Sequence, residues 1–208
     1  MEKILEFLTA KTEDVIYKIE NELLGFENES LLFSYKYMID YFENTSKKIK
    51  LENMVVGVHY VYGFMPTIFH FKSIDVSKLE TALDTINFFK NSDTIDHKDI
   101  EKLEILKELF NNSIVGTSKL LHFINPDTFA IWDSRVHQQI RKIMPDSGIG
   151  YEINNVKNYV KYLELLHELK STDGFKDLIY KPLKNSIKEK FNYKISHIRA
   201  IELLLYLN

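Results

Sequence analysis

The chain has 208 residues, of which 45% are hydrophobic and 27% are charged, and it contains no cysteine. The composition excludes an intrinsically disordered protein, and the lack of cysteine excludes disulfides and thiolate metal sites. We therefore expect a globular protein of a reducing compartment, the cytoplasm, with no secretory signal peptide at its start.

The net charge of −3 is unevenly distributed along the chain. Residues 1–112 carry 13 Lys and Arg against 20 Asp and Glu, residues 113–140 carry two of each, and residues 141–208 carry 12 against 8. An acidic first half and a basic last third permit a polyanionic partner only on the C-terminal side.

Apolar residues recur at three- and four-residue spacing along most of the chain, which is typical of amphipathic helices. Seven glycines and four prolines are few for a turn-rich β protein. The pattern predicts an all-α globule of eight to ten helices, organised as a single domain over residues 1–208 or as two packed subdomains, 1–112 and 113–208. The predicted helices are Glu2–Leu24, Asn28–Phe42, Asn53–Met65, Val76–Lys90, Asp96–Phe110, Lys119–Phe123, Arg135–Ile143, Glu152–Leu169, Phe175–Phe191 and Ser196–Leu207.

The first half of the chain contains a predicted helix break and a long uncharged run. Thr12-Glu13-Asp14 offers a helix cap, so the first helix is expected to break near Thr9. No charged residue stands between Glu52 and Lys72, but this run contains two histidines and Pro66, which is too polar and too broken for a membrane span. It predicts a buried central helix that ends at Pro66, and no membrane partner.

The most informative stretch runs from Ser113 to Val136. Gly116 is expected to take a positive φ in a tight turn, with Thr117 or Ser118 capping the helix that follows. Asn125-Pro126-Asp127 should stop that helix, because a residue before proline is pushed out of the α region. An extended apolar segment, Phe129–Trp132, then leads to Asp133, which is predicted to lie at or near the N-cap of the next helix.

No pattern in the sequence indicates a metal or a cofactor. The seven histidines lie at 59, 70, 97, 122, 137, 167 and 197, and no two share a helix face at a spacing of three or four. No phosphate-binding glycine loop, HExxH motif or GxSxG elbow occurs. We therefore expect neither a cofactor nor a metal.

A basic run near the C-terminus is a candidate nucleic-acid surface. Lys181, Lys184 and Lys188 fall at helical spacing, and Glu189 is the only acidic residue from 181 to 199. Such a face would neutralise DNA phosphates. The alternative is a solvated lysine face over a core helix.

The stretch SKLLHFINPDTFAIWDSRV (118–136) resembles the helix-hairpin-helix DNA glycosylases, and in particular small bacterial proteins with an 8-oxoguanine glycosylase fold. Asp133-Ser134-Arg135-Val136 matches the motif through which that superfamily enters the helix after its hairpin. The runs YGFMPT (62–67) and IRAIE (198–202) are also similar to that group. The resemblance implies a helical glycosylase fold and DNA as a partner, with phosphate contacts at Gly116, Thr117, Ser118 and Arg135.

The resemblance also implies a chemistry, in which Asp133 is the catalytic acid. Bifunctional members of the superfamily carry a lysine nucleophile at the position held here by Ser118. Lys119 lies one residue on, about 100° round a helix, so we expect it to point away and to be at most a second catalytic residue. The implied activity is therefore removal of a damaged base by a monofunctional enzyme, in which an aspartate stabilises the oxocarbenium-like sugar.

A flipped base needs an apolar or aromatic wall, for which Trp132, Phe129, His122 and Tyr62 are the candidates. Each candidate also has a purely structural interpretation: Trp132 as a core residue, and Asp133 as a helix cap worth about 1 kcal/mol. The competing hypothesis is therefore a non-enzymatic interaction or regulatory module that keeps the fold without catalysis.

Overall fold

A computed structural model describes residues 2–22, 26–45, 48–63, 65, 67–69 and 76–208. These residues form ten α-helices and contain no β-strand, which confirms the predicted all-α globule. The helices are α1 (Glu2–Tyr17), α2 (Phe26–Asn44), α3 (Leu51–Gly63), α4 (Val76–Lys90), α5 (Ile100–Leu109), α6 (Ile114–Ile124), α7 (Ser134–Ile143), α8 (Val156–Lys170), α9 (Lys181–Phe191) and α10 (His197–Leu207). Short π segments, Lys18–Glu22 and Lys176–Tyr180, follow α1 and precede α9, and 3₁₀ turns occupy His97–Asp99 and Pro145–Ser147.

The first helix differs from its prediction. α1 runs without a break through Thr9, and Thr12 lies inside it rather than at a cap. The buried Thr12 hydroxyl donates a hydrogen bond to the carbonyl of Leu8 at 2.8 Å, so its polar group is satisfied within the helix. The predicted end of this helix at Leu24 and the predicted break at Pro66 lie outside the described residues.

Helix α3 is less deeply buried than its composition indicates. One face, which includes Met54, Val58 and Val61, lies in the core, whereas Val56 is 45% exposed. The lack of charge in this helix therefore reflects one core face and one weakly polar face, not a helix enclosed on all sides. Among the described helices, none is long and apolar enough to cross a membrane.

Helices α6 and α10 form the two centres of the core. Nine of the eleven residues of α6 and eight of the eleven of α10 are buried. α6 packs against α2, α3, α4 and α5, and α10 packs against α1, α7 and α8. Polar side chains on these two helices therefore project into the protein interior, where they need partners.

Side-chain caps fix the starts of the helices that surround these centres. Ser113, Asp133, Asn155 and Ser196 each accept a hydrogen bond from a backbone amide in the first turn of α6, α7, α8 and α10. Because such caps act within four residues, these starts can be read from the sequence.

Candidate functional site

The turn between α5 and α6 lies earlier than predicted. Asn111 and Asn112 take the left-handed conformation, with φ of 56° and 52°, and Ser113 caps α6 by accepting the amide of Gly116 at 3.1 Å. Gly116 lies within α6, so the predicted turn with a positive φ at this residue is wrong. Asparagine tolerates the left-handed region, which allows the hairpin to turn without glycine.

Gly116 is required by packing instead. A Cβ atom at this position would lie 2.8 Å from the hydroxyl oxygen of Tyr62. Tyr62 crosses α6 at this point and donates a hydrogen bond to the carbonyl of Phe110 at 2.7 Å. The glycine therefore permits the close approach of α3 and α6.

The predicted phosphate contacts at the start of α6 are buried. Thr117 and Ser118 have no exposed surface, and Gly116 is also buried. The hydroxyl of Ser118 donates to the carbonyl of Val115 at 2.8 Å and accepts the amide of Trp132 at 3.0 Å. Ser118 thus ties α6 to the segment before Asp133, and in this structure its side chain is not open to a ligand.

The extended apolar segment lies where predicted, but its aromatic residues belong to the core. Trp132 and Phe129 have no exposed surface, and the Trp132 indole donates to the carbonyl of Ile153 at 2.9 Å. The Trp132 ring packs against Tyr162, with ring centroids 4.9 Å apart. Tyr62 is only 7% exposed, so the residues predicted to form the base-binding wall lie inside the protein.

His122 is also a core residue, and its hydrogen bonds fix its tautomer. Its Nδ1 lies 2.7 Å from the carbonyl of Phe129, which can only accept, and its Nε2 lies 2.7 Å from the hydroxyl of Tyr35. Nδ1 therefore carries the proton, and Nε2 accepts from Tyr35. Burial, followed by the nearby Arg199 charge, lowers the pKa of His122 to about 3, so the ring is neutral.

Asp133 is the N-cap of α7, as predicted. Its backbone is extended, with φ of −138°, and its Oδ1 accepts the amide of Val136 at 2.9 Å. The side chain is half-buried. One hydrogen bond and the anchored segment before it hold this carboxylate in place, close to the protein surface.

Lys119 lies in the same neighbourhood as Asp133. It is half-buried on α6, and burial lowers the pKa of its ammonium group, while the charges of Asp133 and Glu202 act in the opposite direction. Within the described ranges no carboxylate lies within 4.0 Å of its Nζ. The hydrogen bond between the Trp132 amide and the Ser118 hydroxyl, 3.0 Å long, brings the chain positions of Lys119 and Asp133 close together.

A buried ion pair that was not predicted from the sequence as part of the site lies on α10. Arg199 and Glu202, one turn apart on α10, form an ion pair with side-chain exposures of 7% and 2%. The guanidinium carbon of Arg199 lies 4.5 Å from the centre of the Tyr35 ring. The i, i+3 spacing in IRAIE was the available signal, but a surface pair on a helix has the same spacing.

Burial perturbs Glu202 strongly. It raises the pKa of this carboxyl to about 7 despite the favourable charge and hydrogen bond of Arg199, and the nearby Asp133 acts in the same direction as burial. Arg199 engages Oε1, and a backbone hydrogen bond from Ile131 to the carboxylate also opposes the rise in the pKa of Glu202. Oε2 makes no hydrogen bond of ordinary geometry among the described residues. Among the described residues, hydrogen-bond partners are also absent for the buried Nε of Arg199 and for the hydroxyls of Tyr162 and Tyr193. Buried polar atoms of this kind are rare in native proteins and concentrate at functional sites.

The predicted DNA-binding cations lie on the surface in different surroundings. Lys188 is exposed, Lys181 forms an exposed ion pair with Asp177, and Lys184 lies 5.5 Å from the centre of the Tyr180 ring. Lys184 also lines a cleft of about 260 Å³ with Lys194 and His197.

Arg135, in the first turn of α7, is exposed and stacks 5.0 Å from the centre of the Tyr206 ring. With Lys18 it lines a second cleft, of about 490 Å³. The structure thus places one predicted cation two residues from Asp133, whereas the three lysines lie on α9, which packs against α1.

Across the described residues no group of three or more His, Asp or Glu side chains is placed to hold a metal ion. Comparison with known proteins gives no family model, no curated protein and no solved structure that matches this chain. A function for this protein must therefore be inferred from the geometry around Asp133.

Proposed function

We propose that this protein binds DNA and removes a damaged base, with Asp133 as the group that stabilises the reacting sugar. The observation that carries the proposal is the 3.0 Å hydrogen bond between the Trp132 amide and the Ser118 hydroxyl, which brings the backbone before Asp133, the N-cap of α7, against α6 next to the half-buried Lys119. The likeness of the segment 118–136 to helix-hairpin-helix glycosylases supports the reaction class, and the basic C-terminal third supports the polyanionic partner.

The role of Asp133 follows from charge. Breaking the bond between a base and C1′ builds positive charge on the sugar, and a preorganised carboxylate stabilises that charge. Asp133 meets the requirement because the Val136 amide and the anchored Trp132 backbone fix its orientation, while its side chain remains partly exposed. After departure of the base, the same carboxylate accepts a proton from the water that attacks C1′.

Lys119 supplies the complementary proton. The departing base leaves with the electron pair of the broken bond and takes a proton from the Lys119 ammonium group. A lowered pKa makes this lysine a better acid than an exposed one. The proton that Asp133 gains from water then restores the charge of Lys119, so the cycle consumes one water and releases the free base and an abasic site.

DNA contact on this side begins with Arg135, an exposed cation two residues after Asp133. Lys181, Lys184 and Lys188 of α9 would supply further phosphate contacts. The ion pair of Lys181 with Asp177 is exposed and therefore screened by solvent, so a phosphate can displace it.

The proposal is tested with oligonucleotides that carry 8-oxoguanine, uracil or alkylated bases. We expect an intact, alkali-labile abasic site and no adduct trapped by borohydride. Asp133→Asn should abolish excision while keeping the fold, because asparagine is an equally good N-cap. Asp146→Asn, on an exposed 3₁₀ turn, is the matched control.

Two other outcomes contradict parts of this scheme. A borohydride adduct that disappears in Lys119→Gln would make Lys119 the nucleophile, because only an amine forms a reducible imine with C1′. No excision from any of the oligonucleotides would overturn the enzymatic proposal.

That last outcome would favour a non-enzymatic interaction module. One observation favours this second candidate: Trp132, Phe129 and His122, the residues expected to hold a flipped base, are fully buried. A module predicts DNA or protein binding that is unchanged in Asp133→Asn.

A further inference from the structure

The loop between α7 and α8 presents one aromatic side chain to solvent. Tyr151 is 87% exposed, the largest fraction for any large hydrophobic side chain in the described part of the chain. The guanidinium carbon of Arg141, near the end of α7, lies 3.5 Å from the centre of the Tyr151 ring. Arg141 therefore covers one face of the ring, and the exposed fraction leaves the other face open to a ligand.

The backbone on both sides of Tyr151 is bonded to the beginning of α7. The carbonyl of Gly150 accepts a hydrogen bond from Nε2 of the buried His137 at 2.9 Å. The carbonyl of Ile153 accepts one from the indole of the buried Trp132, also at 2.9 Å. Because Trp132 precedes the N-cap of α7 and His137 lies in its second turn, these bonds hold the loop beside the proposed site.

Side chains of α8 hold the same loop from the other direction. The buried Asn158 accepts the amide of Gly150 at 2.9 Å and donates to the carbonyl of Glu152 at 2.8 Å. Lys161 donates to the carbonyl of Gly148 at 2.7 Å. None of these bonds uses the exposed tyrosine side chain, so the loop keeps its shape without it. A held aromatic ring stacked on an arginine is typical of a binding surface, because little conformational entropy is lost when a ligand contacts it.

Helix α7 gives this surface a positive charge. Its sequence contains Arg135, Arg141 and Lys142 and no acidic residue. Within the described ranges the Arg141 guanidinium forms no ion pair or hydrogen bond, so its N–H groups are available to a phosphate. Cations beside an open aromatic face fit a ligand that combines negative charge with planar rings, which is the chemistry of a nucleic-acid strand with unpaired bases.

We propose that Tyr151 and Arg141 form a stacking site for an unpaired base of single-stranded DNA, beside the proposed catalytic site. The inference rests on the proposed function only in taking DNA as the partner. The open face of Tyr151 stacks on the base, while Arg141 supports the other face and binds a phosphate through its N–H groups. Stacking does not read the edges of a base, so binding at this site is tolerant of sequence.

The experiment measures fluorescence anisotropy with a labelled oligothymidine and with an oligonucleotide of the same length that carries abasic residues only. The two probes have the same charge, and only the first can stack. The parent protein should bind oligothymidine more tightly. Tyr151→Ala should weaken that binding about fivefold or more and leave binding of the abasic probe unchanged. Tyr151→Trp should bind oligothymidine at least as tightly as the parent, and Tyr37→Ala, at a 58% exposed position of α2, is the control.

Arg141 separates the phosphate contact from stacking. Arg141→Ala should weaken binding of both probes and reduce the salt dependence of log K by about 0.7, the value for one phosphate contact on a single strand. Tyr151→Ala should leave the salt dependence unchanged. Lys98→Ala, at an exposed position of a 3₁₀ turn in the first half of the chain, is the control for loss of one positive charge.

Four results would overturn the inference: no binding of oligothymidine, equal binding of the two probes, unchanged affinity in Tyr151→Ala, or an equal loss for both probes in that variant. An acidic, tyrosine-rich peptide that binds more tightly than oligothymidine and depends on Tyr151 would also overturn it, in favour of a protein partner. The excision assay remains independent. Binding that depends on Tyr151 without any excision removes the proposed chemistry alone, and excision with binding that does not depend on Tyr151 removes this inference alone.

Discussion

Gly116→Ala tests whether α3 and α6 approach each other as closely as the structure requires. In an exposed helix interior this substitution stabilises by about 1 kcal/mol, because alanine has the higher helix propensity. At Gly116, the new Cβ would lie 2.8 Å from the Tyr62 hydroxyl oxygen and 3.1 Å from the ring carbon that bears it. Ordinary contacts of this kind begin near 3.4 Å, so Tyr62 or α6 must move.

The magnitude follows from three effects. Overpacking a well-filled core costs about 1–3 kcal/mol. Displacing Tyr62 also weakens its 2.7 Å hydrogen bond to Phe110, at a cost of about 0.5–1.5 kcal/mol. After subtraction of the propensity gain, Gly116→Ala should lower the free energy of unfolding by about 2 kcal/mol.

Urea denaturation followed by circular dichroism at 222 nm measures the change, and Gly63→Ala is its control. Gly63 ends α3, and a Cβ there would meet no atom within 4 Å. That variant should be as stable as the parent or more stable. In a Tyr62→Phe background, Gly116→Ala should cost about 1 kcal/mol less, because the nearest clashing atom is gone.

A Gly116→Ala protein at least as stable as the parent would refute the packing argument. A cost that does not change in the Tyr62→Phe background would show that the clash does not involve the tyrosine hydroxyl. Either result would reopen the question of why glycine occupies this helical position.

Further predictions concern pH, salt and secondary structure. The pKa of Glu202 is raised to about 7, so its contribution to stability is present below about pH 4.5 and is lost as the pH rises to 7. The pKa of His122 is lowered to about 3, so its contribution to stability is present above about pH 6.5 and is lost as the pH falls. The two contributions oppose each other between about pH 4.5 and 6.5. In Glu202→Gln only the His122 contribution remains, so the free energy of unfolding should rise with pH across that window by up to about 1.4 kcal/mol per pH unit. A slope equal to that of the parent protein would contradict the raised pKa of Glu202. Replacing Lys181, Lys184 and Lys188 by alanine should weaken duplex binding equally for all sequences and reduce the salt dependence of log K by about two to three units, whereas unchanged binding would leave them as a solvated face. Far-UV circular dichroism should show a predominantly helical protein, and a strand content above about 10% would contradict the fold.

Local signals in the sequence determined the helices and several of their ends. Val76–Lys90 was predicted with the bounds of α4, and Asn125-Pro126-Asp127 correctly marked the end of α6. The N-cap at Asp133 was also predicted correctly. Capping, propensity and proline effects act within a few residues, so these features do not depend on the rest of the chain.

The roles of the aromatic and glycine residues depend on contacts that are distant in sequence. Gly116 and Trp132 stood out in the sequence for a turn and a binding wall, but the structure uses the first to admit Tyr62 and the second to fill the core. Sequence periodicity indicates that a residue is buried or lies in a turn, but it does not identify which distant side chain that residue contacts.

Only the tertiary structure brings the candidate site together. Lys119, Asp133 and Glu202 lie on α6, at the start of α7 and on α10, and their sequence separations carry no sign of proximity. Burial is the first cause of the perturbed pKa values of Lys119 and Glu202. The charges of Asp133 and Glu202 then oppose burial at Lys119, the charge of Arg199 opposes it at Glu202, and all of these effects depend on how the helices pack. The residue types were visible in the sequence, whereas their shared, desolvated environment exists only in the folded chain because it is created by contacts between helices distant in sequence.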